Sequence, residues 1–250
     1  MEVWYAHQGV TTILLTQTPE GSTARAYDER GWPTFESSVS MLIKAGPGWG
    51  DWPALIDAAL AHTSGCRRLA PLPPAVMRET LAARHFTNGA DRDTVLALYQ
   101  EVAETCIYRA TTLDYYGLRW DDSQMPVLCE WLQGCRAIEM LEIGRNSFSA
   151  GAFAQLAVTL GAPGALPTLT ELDCGHTGVA RESLEPLAAI LAAGALPALK
   201  TLELYGANEQ LNVLSGLRAA CDGRGVALSG DEDRSFCEWA VCGLCGLRNT

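Results

Sequence analysis

The chain has 250 residues, 48% hydrophobic and 19% charged, with 24 glycines and 12 prolines. That excludes a mostly disordered or collagen-like chain and leaves room for one large domain or two small ones with a buried core. The formal charge of −11 is uneven, with 10 Lys/Arg against 19 Asp/Glu in residues 100–250; with no basic footprint, neither nucleic acid nor an anionic membrane is expected as a partner.

No stretch reaches the roughly 18 apolar residues of a membrane helix. Met1 to Glu20 contains no Lys or Arg, and its apolar run from Val10 to Leu15 is interrupted by Thr11 and Thr12, unlike a signal peptide. The 9 cysteines are an odd number, spread along the chain and often in apolar settings. They read as reduced thiols, so a cytoplasmic (cytosolic or nuclear) protein is expected.

Residues 1–65 read as a partial α/β segment. Gly9 to Thr16 is a buried strand by its apolar content, and Gln17 to Arg30 a polar loop. Pro33 suits the first position of a helix whose apolar face is Phe35, Val39, Leu42 and Ile43, ending before Gly46-Pro-Gly48. Residues 66–90 form a linker or cap; short helical stretches are expected at Pro53–His62 and Pro74–His85. Tyr27-Asp-Glu-Arg30-Gly-Trp32-Pro-Thr-Phe-Glu36 resembles the middle of Toll/interleukin-receptor (TIR)-like domains, where a loop leads to a Trp and then, four residues on, to a Glu on the next helix. In members that cleave NAD that Glu is catalytic, so the resemblance implies Glu36 in the role with Trp32 beside it. Pro33 stands where the family usually has Cys, and the chain enters at what would be mid-domain. A packing Trp and a Glu favoured by the helix N-terminus is the expected reading.

A repeat governs residues 91–230. Ile138-Glu-Met-Leu141-Glu-Ile143-Gly-Arg-Asn146 fits L-x-x-L-x-L-x-x-N, Leu169 to Thr177 fits with Thr in the last place, and Leu199 to Leu204 fits again with Asn208 one residue late. Ala110-Thr-Thr-Leu113-Asp-Tyr115 is a weaker first copy, and Val226-Ala-Leu228 a degenerate fifth. Between these strands the apolar period changes from 2 to 3.6. Val95, Leu98, Tyr99 and Val102 form one helical stripe; Met125, Leu128, Cys129 and Leu132 form the next. Phe153, Leu156, Ala157 and Leu160 follow, then Leu184, Leu187, Ala188 and Leu191. Asn208 is placed to cap a last helix carrying Leu211, Leu214 and Leu217. Neither a strand nor a helix of such a unit buries its apolar face alone, so the units must stack. This resembles the leucine-rich-repeat family, specifically the ribonuclease-inhibitor-like class. The resemblance implies an α/β solenoid with parallel strands on the concave side and helices on the convex side. Leu118 and Thr177 replace the turn asparagine. Irregular turns are therefore expected everywhere except at Asn146.

In each strand the leucines face the core and the residue between them faces the other side. Those middle residues are Asp114, Glu142, Asp173 and Glu203, all acids, followed two positions on by Tyr116, Gly144, Gly175 and Tyr205. Few cations are placed to balance the row; Lys200, at the start of the fourth strand, is one. An acidic stripe with aromatic ends suits a basic protein partner, and Asp114, Tyr116, Glu142, Asp173, Glu203 and Tyr205 are its candidate binding residues.

Signals for chemistry are sparse. The chain has no G-x-x-x-x-G-K-[ST], G-x-S-x-G or G-x-G-x-x-G, and His7, His62, His85 and His176 show no metal-ligand spacing. Gly46-Pro-Gly-Trp-Gly50 has no clear strand leading into it, so it is not read as a phosphate cradle. Residues 231–250 contain Cys237, Cys242 and Cys245 without a second pair, which reads as an apolar tail or cap rather than a zinc site. No cofactor is expected. The expectation is a non-enzymatic protein-interaction module; the alternatives are an NAD-cleaving or nucleotide-binding TIR-like enzyme using Glu36, or a truncated product without an independent role. Sequence leaves the oligomeric state open.

Overall fold

The computed structural model describes residues 2–7, 10–43, 55–58, 68–177, 181–204 and 215–229. In chain order the elements are α1 (Glu2–Tyr5), β1 (Thr12–Leu14), α2 (Gly31–Ile43), β2 (Leu55–Asp57), α3 (Pro74–Ala82) and α4 (Asp91–Ala103). There follow β3 (Thr112–Asp114), α5 (Met125–Gly134), β4 (Met140–Glu142), α6 (Ala150–Leu160), β5 (Glu171–Asp173), α7 (Arg181–Ala192), β6 (Thr201–Glu203), α8 (Ser215–Asp222) and β7 (Ala227–Ser229). The fold is α/β. β1 and β2 pair in parallel, and β3 to β7 form a five-stranded parallel sheet whose spatial order is its sequence order. Among the described residues no helix is long and apolar enough to cross a membrane.

One column of leucines explains the larger sheet. Leu113, Leu141, Leu172, Leu202 and Leu228 are paired in register from strand to strand. Leu141, Leu172 and Leu202 are all 0% exposed. Each pair of strands is joined by a helix, and α5, α6, α7 and α8 pack side by side in that order. Their apolar stripes, among them Met125, Leu128, Leu132, Phe153, Leu156, Leu160, Leu184, Leu191 and Leu217, are buried in the same cluster as the leucine column. Strand period and helix period thus serve one core.

The turns after the strands are more alike than their sequences. Gly117, Arg145 and His176, each three residues after the acid of its strand and one residue before Leu118, Asn146 and Thr177, all take positive φ, of 66°, 52° and 53°. The expectation of irregular turns is corrected at Thr177, where the backbone repeats although the asparagine does not; the turn after β6 lies outside the described residues. What changes is how the turn is satisfied. Asn146, 3% exposed, donates from Nδ2 to the carbonyls of Tyr115 (2.8 Å) and Ile143 (2.9 Å) and accepts the Trp120 N–H at 2.9 Å. Thr177 reproduces one of these bonds, its hydroxyl donating to the Cys174 carbonyl at 2.7 Å. Leu118 offers none and is buried as an apolar residue, with a second positive φ beside it at Arg119 (57°).

Towards the N-terminus several boundaries differ from expectation. β1 is not buried on both sides: Thr12 and Leu14 face inward, whereas Ile13 and Leu15 are 59% and 69% exposed. α2 begins at Gly31, so Pro33 is its third residue rather than its first. Phe35, Val39 and Leu42 are buried as expected. Within the stretch read as helical from Pro53, Leu55–Asp57 is a strand, stabilised by parallel pairing with β1. In α4, Val95 and Tyr99 are buried, but Leu96 takes a core position while Leu98 and Val102 are partly buried. Gly46 to Gly50, Cys66, Asn208, Leu211, Leu214 and the Cys237, Cys242 and Cys245 tail lie outside the described residues.

Leu172→Ala removes a fully buried side chain from the middle of the column, so it should cost about 2–5 kcal/mol, read by urea unfolding. Leu228, at the end of the column and only partly buried, should cost less in the same assay.

Candidate functional site

The register that stacks the leucines also stacks the acids. Asp114 pairs with Glu142, Glu142 with Asp173, and Asp173 with Glu203, all on the opposite face of the sheet. Parallel strands lie about 4.8 Å apart, so the backbone holds these carboxylates in one row. The row ends at β7, where the matching residue is Ser229. Two carboxylates are fixed the same way: Asp114 accepts the Tyr116 N–H at 3.0 Å and Asp173 the Gly175 N–H at 2.7 Å. Asp173 is 8% exposed. A Cβ at Gly144 would lie 3.0 Å from each Asp173 carboxylate oxygen, so the missing side chain at 144 makes room for that carboxylate against β4.

Burial is the main reason that the two middle carboxylates resist ionisation. It raises the Glu142 pKa to about 7, helped by Asp114, Asp173, Glu203 and Glu171. Asp173 is raised to about 6 by burial, with Glu203 and Asp114 adding to it and the Gly175 N–H opposing it. The row is also less short of cations than the sequence implies. The Arg145 guanidinium lies 5.7 Å from the centroid of the Tyr116 ring. Burial raises the Tyr116 hydroxyl, with Arg145 lowering it and Asp173 and Glu142 raising it. Arg145 also helps hold the exposed His176 below its ordinary pKa, after burial.

Arg68, which the sequence reading assigned to a linker or cap, is the second cation. It is 4% exposed. Its guanidinium donates to the carbonyls of Met41 (2.8 Å) and Leu42 (2.7 Å) at the end of α2 and of Asp114 (3.1 Å) on β3. It also stacks over Tyr115 at 5.0 Å. Burial lowers its pKa to about 10, so it remains charged. Nothing in the local sequence marks this arginine as buried. Of the other candidates, Tyr116 is half-buried and Glu203 stands in the row; Tyr205 lies outside the described residues.

A cleft of about 640 Å³ opens at the turns that follow β3, β4 and β5, lined among others by Asp121, Asp122, Ser147, Ser149 and His176. Asp122 accepts the Ser149 N–H at 2.7 Å and also its hydroxyl, while Ser149 caps α6. These acids therefore satisfy helix starts. Sequence reading missed the cleft, because its walls come from consecutive turns some 30 residues apart in the chain. Among the described residues there is no group of three or more His, Cys, Asp or Glu that could hold a metal.

Glu36 and Trp32 lie one turn apart on α2. Glu36 is half-buried, and burial, with the negative charge of Glu36 beside it, raises the Tyr5 hydroxyl above its ordinary pKa. Burial together with Glu36 pushes Tyr27 up to about 12. The Trp32 indole N–H donates to Asp91 at 3.0 Å, and its ring meets Phe35 edge-on at 5.9 Å. Trp32 is thus tied to α4 by one hydrogen bond but is 40% exposed, so the expectation of a packing Trp is corrected, while Glu36 faces α1 from α2.

No family model matches the chain, and no curated protein matches it either.

Two outcomes are expected. Glu142 and Asp173 bind protons more tightly folded than unfolded, so their contribution to stability is full at the acid end and is lost as pH rises through about 6 and 7. Glu142→Gln should therefore raise the melting temperature at pH 8 relative to the parent, with the difference shrinking towards pH 5. Incubation of the purified protein with NAD should release no nicotinamide, because Glu36 lies half-buried beside Tyr5 and Tyr27; release that Glu36→Ala abolishes would contradict this.

Proposed function

We propose that β3 to β7 with their helices are a leucine-rich-repeat arc of the ribonuclease-inhibitor-like class, and that the protein is a non-enzymatic interaction module. Its concave face, carrying Asp114, Tyr116, Glu142, Asp173 and Glu203, takes a basic protein segment bearing Arg or Lys. The observation that supports this is the in-register row of carboxylates on one face of the sheet. Like charges at about 4.8 Å in water repel by about 0.9 kcal/mol per pair, less with salt, so a cationic partner relieves a cost built into the empty fold. Tyr116, already beside the Arg145 guanidinium, offers a ring face of the kind that a partner arginine stacks on. A cytoplasmic location accords with the buried free thiols of Cys129, Cys135, Cys174 and Cys221.

Binding of an arginine-rich protein or peptide should weaken steeply between about 50 and about 300 mM salt, followed by titration calorimetry. The double replacement Glu142→Gln with Asp173→Asn should reduce affinity while leaving the fold intact or slightly more stable. Affinity that ignores both salt and the double replacement would move the site off this face.

A further inference from the structure

Asn88 and Gly89 lie in the turn that leads into α4, where Thr87 to Ala90 are all exposed. The Asp91 N–H closes this turn on the Asn88 carbonyl at 3.1 Å. The Asn88 side chain folds back over the following peptide. Its Oδ1 accepts the Ala90 N–H at 3.2 Å, which closes a ring that contains the Gly89 nitrogen. The same bond draws electrons from the side-chain carbonyl and makes Cγ the better electrophile. No Cβ shields the Gly89 nitrogen, and one built there would meet nothing within 4 Å.

The amide nitrogen of Asn88 belongs to a second arrangement. Nδ2 donates to Asp91 Oδ1 at 3.0 Å, and Asp91 Oδ2 accepts the Trp32 indole N–H at 3.0 Å. Asp91 is the first residue of α4 and Trp32 the second of α2, so one carboxylate joins the turn to both helices. Asn146 is the contrast. It is 3% exposed, both ends of its amide are bonded to backbone, and Ser147 follows it instead of glycine.

We propose that Asn88 is a site of self-modification: in the folded protein the Gly89 nitrogen attacks the Asn88 side chain, and the acidic product loosens the Trp32–Asp91 link between α2 and α4. A bond forms from the Gly89 nitrogen to Cγ, the Cγ–Nδ2 bond breaks, and the amide leaves as ammonia with the proton of the Gly89 nitrogen. Solvent water then opens the cyclic imide at either carbonyl, giving aspartate or isoaspartate. The product has lost the Nδ2 donor and sets a new carboxylate against Asp91, so attraction becomes repulsion. Isoaspartate also lengthens the main chain within the turn that starts α4.

The full chain is aged in mildly alkaline buffer at body temperature, and the peptides that contain Asn88 and Asn146 are followed by mass spectrometry. The Asn88 peptide should gain about 1 Da and yield isoaspartate, while the Asn146 peptide keeps its mass. Gly89→Ala places its methyl group in open space, at a φ outside the left-handed region, and should slow the conversion severalfold. In the aged protein the Trp32 indole N–H resonance, assigned with Trp32→Phe, should shift, and fresh Asn88→Asp should reproduce much of that shift. Conversion at Asn88 no faster than at Asn146, or unchanged by Gly89→Ala, would overturn the site. A Trp32 resonance indifferent both to ageing and to Asn88→Asp would overturn its effect on the link.

Discussion

Parallel pairing in register is the constraint on which the rest of this structure depends. Each strand contributes only three residues to the ladder. With side chains alternating between faces, a leucine in the middle position dictates that its neighbours face the other way. Stacking Leu113, Leu141, Leu172, Leu202 and Leu228 therefore stacks Asp114, Glu142, Asp173 and Glu203 with no further choice. The favourable column in the core and the unfavourable column on the face are one decision of register. Slipping a strand by one residue would relieve the carboxylates only by placing them in the core.

The connections show how much strain the column tolerates. Leu166 and Leu196 have positive φ, 37° and 53°, in the recurring Gly-Ala-Leu-Pro turns, and both are buried. A bulky residue rarely adopts that conformation. Here it aims the leucine inward just before the next strand, so burial in the core offsets local strain. Gly164 and Gly194, two residues earlier, have φ of 71° and 87°, where a side chain would add a second penalty. Arg145 and His176 are also non-glycine residues in a left-handed turn, but both are exposed, so no core burial offsets the strain there.

At the β3 end, the sheet is joined to the N-terminal elements by a buried charge. A guanidinium removed from water is costly unless its donors are satisfied. Arg68 meets that condition with two carbonyls at the end of α2 and one on β3. Carbonyls at a helix end lack intrahelical partners, and the helix dipole favours a cation there. Trp120 ties the same stretch of chain from the other side, its indole N–H donating to the Arg68 carbonyl at 2.7 Å. Most of the buried apolar residues, from Ala6 to Val226, accordingly form one contiguous cluster.

What the sequence by itself determined is what depends on local periodicity: the strands at the repeated leucines, the helices between them, the buried stripe on each helix, and the facing of the acids. Those features follow from spacing along one element, and spacing is written in the residues. Asp114, Glu142, Asp173 and Glu203 were legible for that reason, as was the degenerate strand ending at Leu228. Tertiary structure alone decided the rest. The segment at Leu55–Asp57 became a strand because β1 offered it a partner, and Ile13 stayed exposed because only one face of β1 was covered. The turn at Thr177 kept the geometry of the turn at Asn146 because the neighbouring strands imposed it. Arg68, the closeness of Arg145 to the acid row and the cleft at Asp121 and His176 each join residues far apart in the chain, and no period marks them. The reluctance of Glu142 and Asp173 to ionise belongs to the same class, since burial and neighbours on other strands set it, and neither exists until the sheet has formed.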